Sequence, residues 1–282
     1  MSKSIIPEIV AEASNRRSFV KKIGAASAAI GAIATSVGSA QAQTSTDIAV
    51  LNFALNLEYL EAEFYSYAVS GLPITSFGIG IDGVANPGNV PAGGATSGGN
   101  QVSFSNNLVF TPAVAAQIAS DERAHVSLLR AALGAQKIAK PNINLNALGF
   151  GFGSQNEFLK LARIFEDIGV TAYAGAAPLL SPTYIGTAAQ ILAAEAQHVA
   201  AIRLQVARLN VQTAPPLDGV DILPPPSGSQ SQFLSLRTAD GLPATRTPGQ
   251  VLYLAFGAAG VSNGGFFPSG VNGSITMSTG PA

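Results

Sequence analysis

The chain has 282 residues, with 15 Lys or Arg against 16 Asp or Glu, for a net charge of −1. It contains no Cys, no Trp and two His, and 47% of it is hydrophobic. These numbers allow a substantial buried core. They exclude disulfides, thiol nucleophiles, iron–sulfur ligation and Cys-based zinc sites, and the charge argues against an electrostatic grip on nucleic acid. Chemistry must run on carboxylates, two imidazoles, hydroxyls or a bound metal.

Residues 1–42 read as an address. Asn15-Arg16-Arg17-Ser18-Phe19-Val20-Lys21-Lys22 precedes an uncharged run from Ile23 to Val37, and Ala40-Gln41-Ala42 offers a small-x-small cleavage pattern. The run falls short of the roughly 20 apolar residues that a spanning helix needs. Its paired arginines followed by x-Phe-x-Lys resemble the twin-arginine export signal, with Asn15 and Val20 departing from the usual residues. A Sec signal containing Arg-Arg is the alternative. The resemblance implies export of a folded chain by the twin-arginine machinery to the periplasm or the outside. Cleavage would leave 240 residues with ten positive and fourteen negative charges, net −4, and no other membrane-span candidate.

Four helices are expected, in chain order. The first spans about Asp47 to Ser70, with Leu51, Ala54, Leu55, Ala62 and Val69 at helical spacing, and Gly71-Leu72-Pro73 ends it. Residues 71–110 are rich in Gly, Pro, Asn and Ser and read as a long loop insertion. Thr111-Pro112 opens the second helix, which runs to about Leu133 before Gly134. After a connector, Ser154-Gln155-Asn156-Glu157 has the capping-box pattern and opens the third, to about Ala177. Ser181-Pro182 opens the fourth, to about Asn210. Residues 211–282 form a Pro/Gly-rich extension too punctuated for long regular elements. Its Phe and Leu content suggests that it packs on the helices and could supply a homo-oligomer interface.

The helices repeat in pairs. Leu51, Ala54, Glu58, Tyr65 and Ala68 recur 108 residues later as Leu159, Ala162, Glu166, Tyr173 and Ala176. Ala115-Ala116-Gln117-Ile118, Glu122-x-x-His125-Val126 and Arg130 recur 73 residues later as Ala188-Ala189-Gln190-Ile191, Glu195-x-x-His198-Val199 and Arg203. Two helical hairpins of common pattern result, each supplying one isolated Glu and one Glu-x-x-His. Positions i and i+3 share a helix face, so a carboxylate and an imidazole there can bind one ion. A single Glu-x-x-His is usually a solvated face. Here both histidines of the chain fall in the motif, at matching repeat positions and among apolar residues, where buried carboxylates need a cation. Four carboxylates and two imidazoles suit a di-metal site in a four-helix bundle, with imidazole nitrogen favouring iron or manganese over calcium or magnesium.

The pattern resembles the ferritin-like di-iron carboxylate superfamily across residues 47–210. Leu51 to Tyr65, Gly264-Gly265-Phe266-Phe267-Pro268 and Asn272-Gly273 look like the desiccation-related, ferritin-like proteins. The resemblance implies an all-α ferritin-like bundle of two hairpins joined by a long crossover. It implies two Fe or two Mn ions per chain: Glu58, Glu122 and His125 on one, Glu166, Glu195 and His198 on the other, Glu122 and Glu195 bridging. Tyr65 and Tyr173, two turns after the isolated Glu, would be hydrogen-bond donors to the ligands or redox-active phenols; packed core tyrosines are the alternative. Glu61 is either a fifth carboxylate or solvent-facing, and Glu63 is expected at the surface. Asp121 and Asp167 either orient a ligand histidine or are exposed, and Arg123 and Arg130 offset local negative charge.

Two functions follow as expectations. One is an exported di-iron or di-manganese protein that reacts with peroxide or dioxygen, catalase-like or ferroxidase-like, in oxidative or desiccation stress. The other is a metal-stabilised structural or protective protein without turnover, for which the low charge and long extension speak. A hydroxylase is a weaker third reading.

Overall fold

The structure is a computed structural model that describes residues 43–104, 112–225, 233–235 and 239–282. The expected export signal, residues 1–42, lies outside them. Four long helices, α1 (Ser45–Ser70), α2 (Pro112–Leu133), α3 (Gln155–Ala176) and α4 (Pro182–Arg208), form an all-α bundle core. A short helix α5 (Pro248–Phe256), a two-residue strand pair, β1 (Thr96–Ser97) with β2 (Ile143–Asn144), and three single 3-10 turns (Ile74–Phe77, Gly134–Gln136 and Ala177–Leu179) complete the regular structure among the described residues. No helix among these residues is long and apolar enough to cross a membrane.

Local chemistry sets the helix ends. The Thr44 side chain accepts from the Asp47 backbone while Asp47 reaches back to the Thr44 N–H, and Gly71 at φ +73° closes α1. Asp47 also accepts from the Ser181 N–H at 2.8 Å, so it caps α4, where the Ser181 side chain makes no capping bond. At α3 the capping box is half formed. Ser154 accepts from Glu157 N, but the Glu157 carboxylate turns to the N–H groups of Gly151 and Gly153. Helix α4 stops at Arg208, two residues before the expected Asn210, which takes φ +50°.

α1 packs along α2, and α3 along α4; the two hairpins meet chiefly through α1 and α3. α1 is the central helix, buried without interruption from Val50 to Ser66. Phe64 lies within 5.5 Å, centroid to centroid, of Tyr65, Phe152, Phe158 and Phe165. Such all-round burial leaves α1 no polar face, which corrects the expectation for Glu63. That side chain is 1% exposed and pairs at 3.1 Å with Lys140, itself 2% exposed.

The irregular segments are knitted to α1 by asparagines. Asn52 donates to Gln136 O and accepts from Ile138 N. Asn56 donates to Asn272 O at 2.8 Å and accepts from Asn272 N at 3.0 Å. Asn272 in turn donates to Ala139 O and accepts from Asn86 N. Insertion, connector and extension thus meet on one helix. β1 and β2 add a parallel pairing of Thr96 with Ile143 and Ser97 with Asn144.

The extension adds one element that its composition hides. Thr247-Pro248-Gly249-Gln250 forms a complete capping box, and Gly257 at φ +80° ends the nine-residue α5. Nearby, Arg246 donates to Thr171 Oγ1 at 2.7 Å and grips Asp218 with Nη2 and Nε, which holds the extension on α3. The approach is close: a Cβ on Gly175 would sit 2.1 Å from Arg246 O.

Candidate metal centre

The bundle interior carries an unusual concentration of charge. Glu58, Glu122, Glu166 and Glu195 are each 0% exposed, with His125 and His198 at 8% and 7%. α1 and α3 contribute the isolated glutamates, α2 and α4 the Glu-x-x-His pairs, and every one of these side chains points between the four helices.

His125 Nδ1 lies 3.2 Å from Glu58 Oε2, 3.3 Å from Glu122 Oε2 and 3.4 Å from Glu195 Oε1. His198 Nδ1 lies 3.0 Å from Glu122 Oε1 and 3.3 Å from Glu166 Oε2. Two donor sets emerge, each with its ligand-type atoms within 4.8 Å of one another: Glu58, Glu122, His125 and Glu195, and Glu122, Glu166, Glu195 and His198. Glu122 and Glu195 belong to both. Glu122 turns Oε2 to His125 and Oε1 to His198, while Glu195 Oε1 faces His125.

The tyrosines cross between hairpins. Tyr65 OH donates to Glu166 Oε1 at 2.5 Å, and Tyr173 OH donates to Glu58 Oε1. Each phenol therefore fixes one oxygen of the other hairpin's isolated glutamate and leaves the second oxygen facing the centre. Both phenols are held well above their ordinary pKa by burial and by the glutamate they face.

Electrostatically the centre is strained toward protonation. Burial and the neighbouring Glu195 push Glu122 up to about 7. Burial, then Glu195, raises Glu61 well above the usual carboxylate range, and burial with Glu166 does the same for Glu195. Glu166 is raised by burial, too. For Glu58, burial is outweighed by His125, which holds it below its ordinary value. Both imidazoles are pushed far up: burial opposes their charge, but the surrounding carboxylates override it.

Metal cations fit this donor set. Glu58 Oε2, Glu122 Oε1, Glu166 Oε2, both Glu195 oxygens and His198 Nδ1 are buried with no hydrogen-bond partner. Burying a polar atom without a partner costs about 1–3 kcal/mol, more when it is charged. Six such atoms converging on one space form a cluster that cations compensate. Imidazole nitrogen among the oxygens is chemistry suited to iron or manganese.

The other acids and bases sort differently. Glu61 is 5% exposed and lies beside Glu195, so the solvent-facing expectation fails. The Asp121 side chain is 41% exposed and its Oδ2 is 3.4 Å from His198 Nε2, on the outer side of the ring. Asp167 touches no histidine: it accepts from Arg163 and Arg203, in a buried ion cluster completed by Asp221. Arg123 donates to Ser66 and covers the Phe77 ring, while Arg130 binds Asp82 and Tyr59 OH. The buried Lys140–Glu63 pair and the asparagine cluster carry no periodic or motif signal of their own.

Comparison with known proteins agrees with this architecture. The chain is 29% identical over 180 residues to the desiccation-related protein PCC13-62 of Craterostigma plantagineum, an alignment covering 56% of this chain. The chain spans about half the length of that relative, 52%. A family model described as the Ferritin-like domain matches residues 46–208, which takes in all four bundle helices and every residue of both donor sets. The chain belongs to the ferritin-like domain family.

Proposed function

We propose that Glu58, Glu122 and His125 hold one iron or manganese ion and Glu166, Glu195 and His198 a second, with Glu122 and Glu195 shared. The observation that carries this is the set of buried, unpartnered carboxylate oxygens converging between the four helices. When bound, two such ions supply electrons to peroxide or dioxygen and stabilise the charge that develops on its oxygens. The chain's own residues provide the rest. The apolar bundle excludes bulk water, which strengthens every charge interaction inside it. Tyr65 and Tyr173 fix Glu166 and Glu58 so that their free oxygens stay aimed inward.

The cellular role we assign is protection during oxidative or desiccation stress, supported by the named relative. Its place is outside the cytoplasm, supported by the Arg16-Arg17 signal pattern. Elemental analysis of the natively exported protein should find about two Fe or Mn per chain; less than half an ion would overturn the reading of the centre. Peroxide consumption no faster than that of Glu122→Ala/Glu195→Ala would overturn the redox role and leave a metal-stabilised protective protein. Export that survives Arg16→Lys/Arg17→Lys would point to the Sec route.

A further inference from the structure

The internal repeat breaks beside one histidine. At the 73-residue offset Glu122 matches Glu195 and His125 matches His198, but Asp121 matches Ala194. Asp121 on α2 sets its Oδ2 3.4 Å from Nε2 of His198 on α4. Because the hairpins share one pattern, an acid at position 194 would stand to His125 as Asp121 stands to His198. A methyl group is there instead, and His125 Nε2 has no partner among the described residues.

The difference bears on how each imidazole serves as a ligand. Both rings turn Nδ1 inward, to carboxylates of the donor sets. An imidazole ligates through a nitrogen that carries no proton, so its remaining proton sits on the other nitrogen. An acceptor beyond that nitrogen fixes both the tautomer and the angle of the ring. Asp121 is that acceptor for His198, and its negative charge adds to the pull on a cation. His125, whose side chain is 11% exposed, is left to solvent.

Ligand number does not separate the two positions, since each donor set has three glutamates and one histidine. Shared ligands instead amplify the difference. Glu122 and Glu195 belong to both sets, so the first cation bound draws on the charge that a second one needs. We propose that the two positions are unequal. The Glu166–His198 position fills first and holds its cation more tightly, the Glu58–His125 position fills second, and Asp121 is the positioning residue that sets the order. This rests on the paired-ion function proposed above.

The chain has two histidines, so each ring can be followed by itself. Zinc serves as a diamagnetic probe that accepts the same nitrogen and oxygen donors. Long-range proton–nitrogen NMR of the full chain during a zinc titration, assigned with His125→Gln, should show the His198 ring change first and the His125 ring only afterwards. Calorimetry should resolve two dissociation constants about tenfold or more apart. Asp121→Ala should weaken the tighter step about tenfold or more and bring the two steps together, with the circular-dichroism spectrum unchanged. Ala194→Asp, which gives His125 the acid it lacks, should tighten the weaker step. Both rings changing together in the wild type, His125 changing first, or two steps as far apart in Asp121→Ala as in the wild type would overturn the order. Zinc that changes neither ring would overturn the paired-ion function itself, and the order with it.

Discussion

Replacing Asn56 by Ala tests the way the irregular segments are fastened. Asn56 is 0% exposed, and its amide exchanges two hydrogen bonds with the Asn272 backbone, at 2.8 and 3.0 Å. Truncation leaves the Asn272 N–H and C=O buried without partners. At about 1–3 kcal/mol for each orphaned group, the loss is about 2–6 kcal/mol. A domain of this size is stable by about 5–15 kcal/mol, and each kcal/mol shifts its melting point by about 2–4 °C, so the midpoint should fall by about 4–24 °C. Thermal unfolding followed by circular dichroism reads this directly. Asn56→Leu separates the causes, because it nearly restores the lost volume but supplies no hydrogen bond. It should be destabilised to a comparable extent. A fall of less than about 2 °C in Asn56→Ala, or a neutral Asn56→Leu, would show that packing rather than these bonds holds the extension.

Three further outcomes are expected. Lys140→Met leaves Glu63 buried and unpaired, so it should cost about 3–5 kcal/mol in denaturant unfolding, and Lys140→Met/Glu63→Gln should recover much of that; no recovery would refute the pairing. Burial raises the Asp218 carboxyl, but Arg246 outweighs it and holds the group below its ordinary value. The stabilisation this gives is full above the unfolded pKa of about 3.9 and is lost as pH falls through the lower folded value, so the gap in urea midpoint between wild type and Asp218→Asn should hold at neutral pH and narrow only below about pH 4; a gap independent of pH would refute it. Tyr173→Phe frees Glu58 from its donor and should weaken metal binding about 10- to 100-fold in a chelator competition while the helical signal is kept, and Tyr65→Phe should match it. Unchanged affinity in both would make the phenols packing residues.

The bundle is legible in the sequence because its punctuation is local. Gly71, Pro112, Ser154 and Pro182 each act within a few residues, and the repeat sets the two Glu-x-x-His pairs at equivalent positions of the two hairpins. What escapes is non-local. A surface or solvent-facing place for Glu61 and Glu63 presumes a helix with one wet side, whereas α1 is surrounded, so its outer face meets the insertion and connector instead of water. Lys140 finds Glu63 across 77 residues and Asn56 finds Asn272 across 216, distances over which no periodicity carries information. Helix α5 has complete start and stop signals, Thr247 with Gln250 and Gly257, which a composition average over 72 Pro/Gly-rich residues conceals.

The crossed tyrosines bear on what counts as a unit in this protein. Each hairpin carries its own Glu, Glu-x-x-His and Tyr, yet the phenol that steadies a glutamate always comes from the other hairpin. Half the chain is therefore not half a centre. A separated hairpin would present two glutamates and one histidine, without the other hairpin's Glu-x-x-His and without the phenol that steadies its isolated glutamate. Docking of the hairpins and assembly of the two donor sets are one event, so any condition that parts the two halves dismantles both sets together.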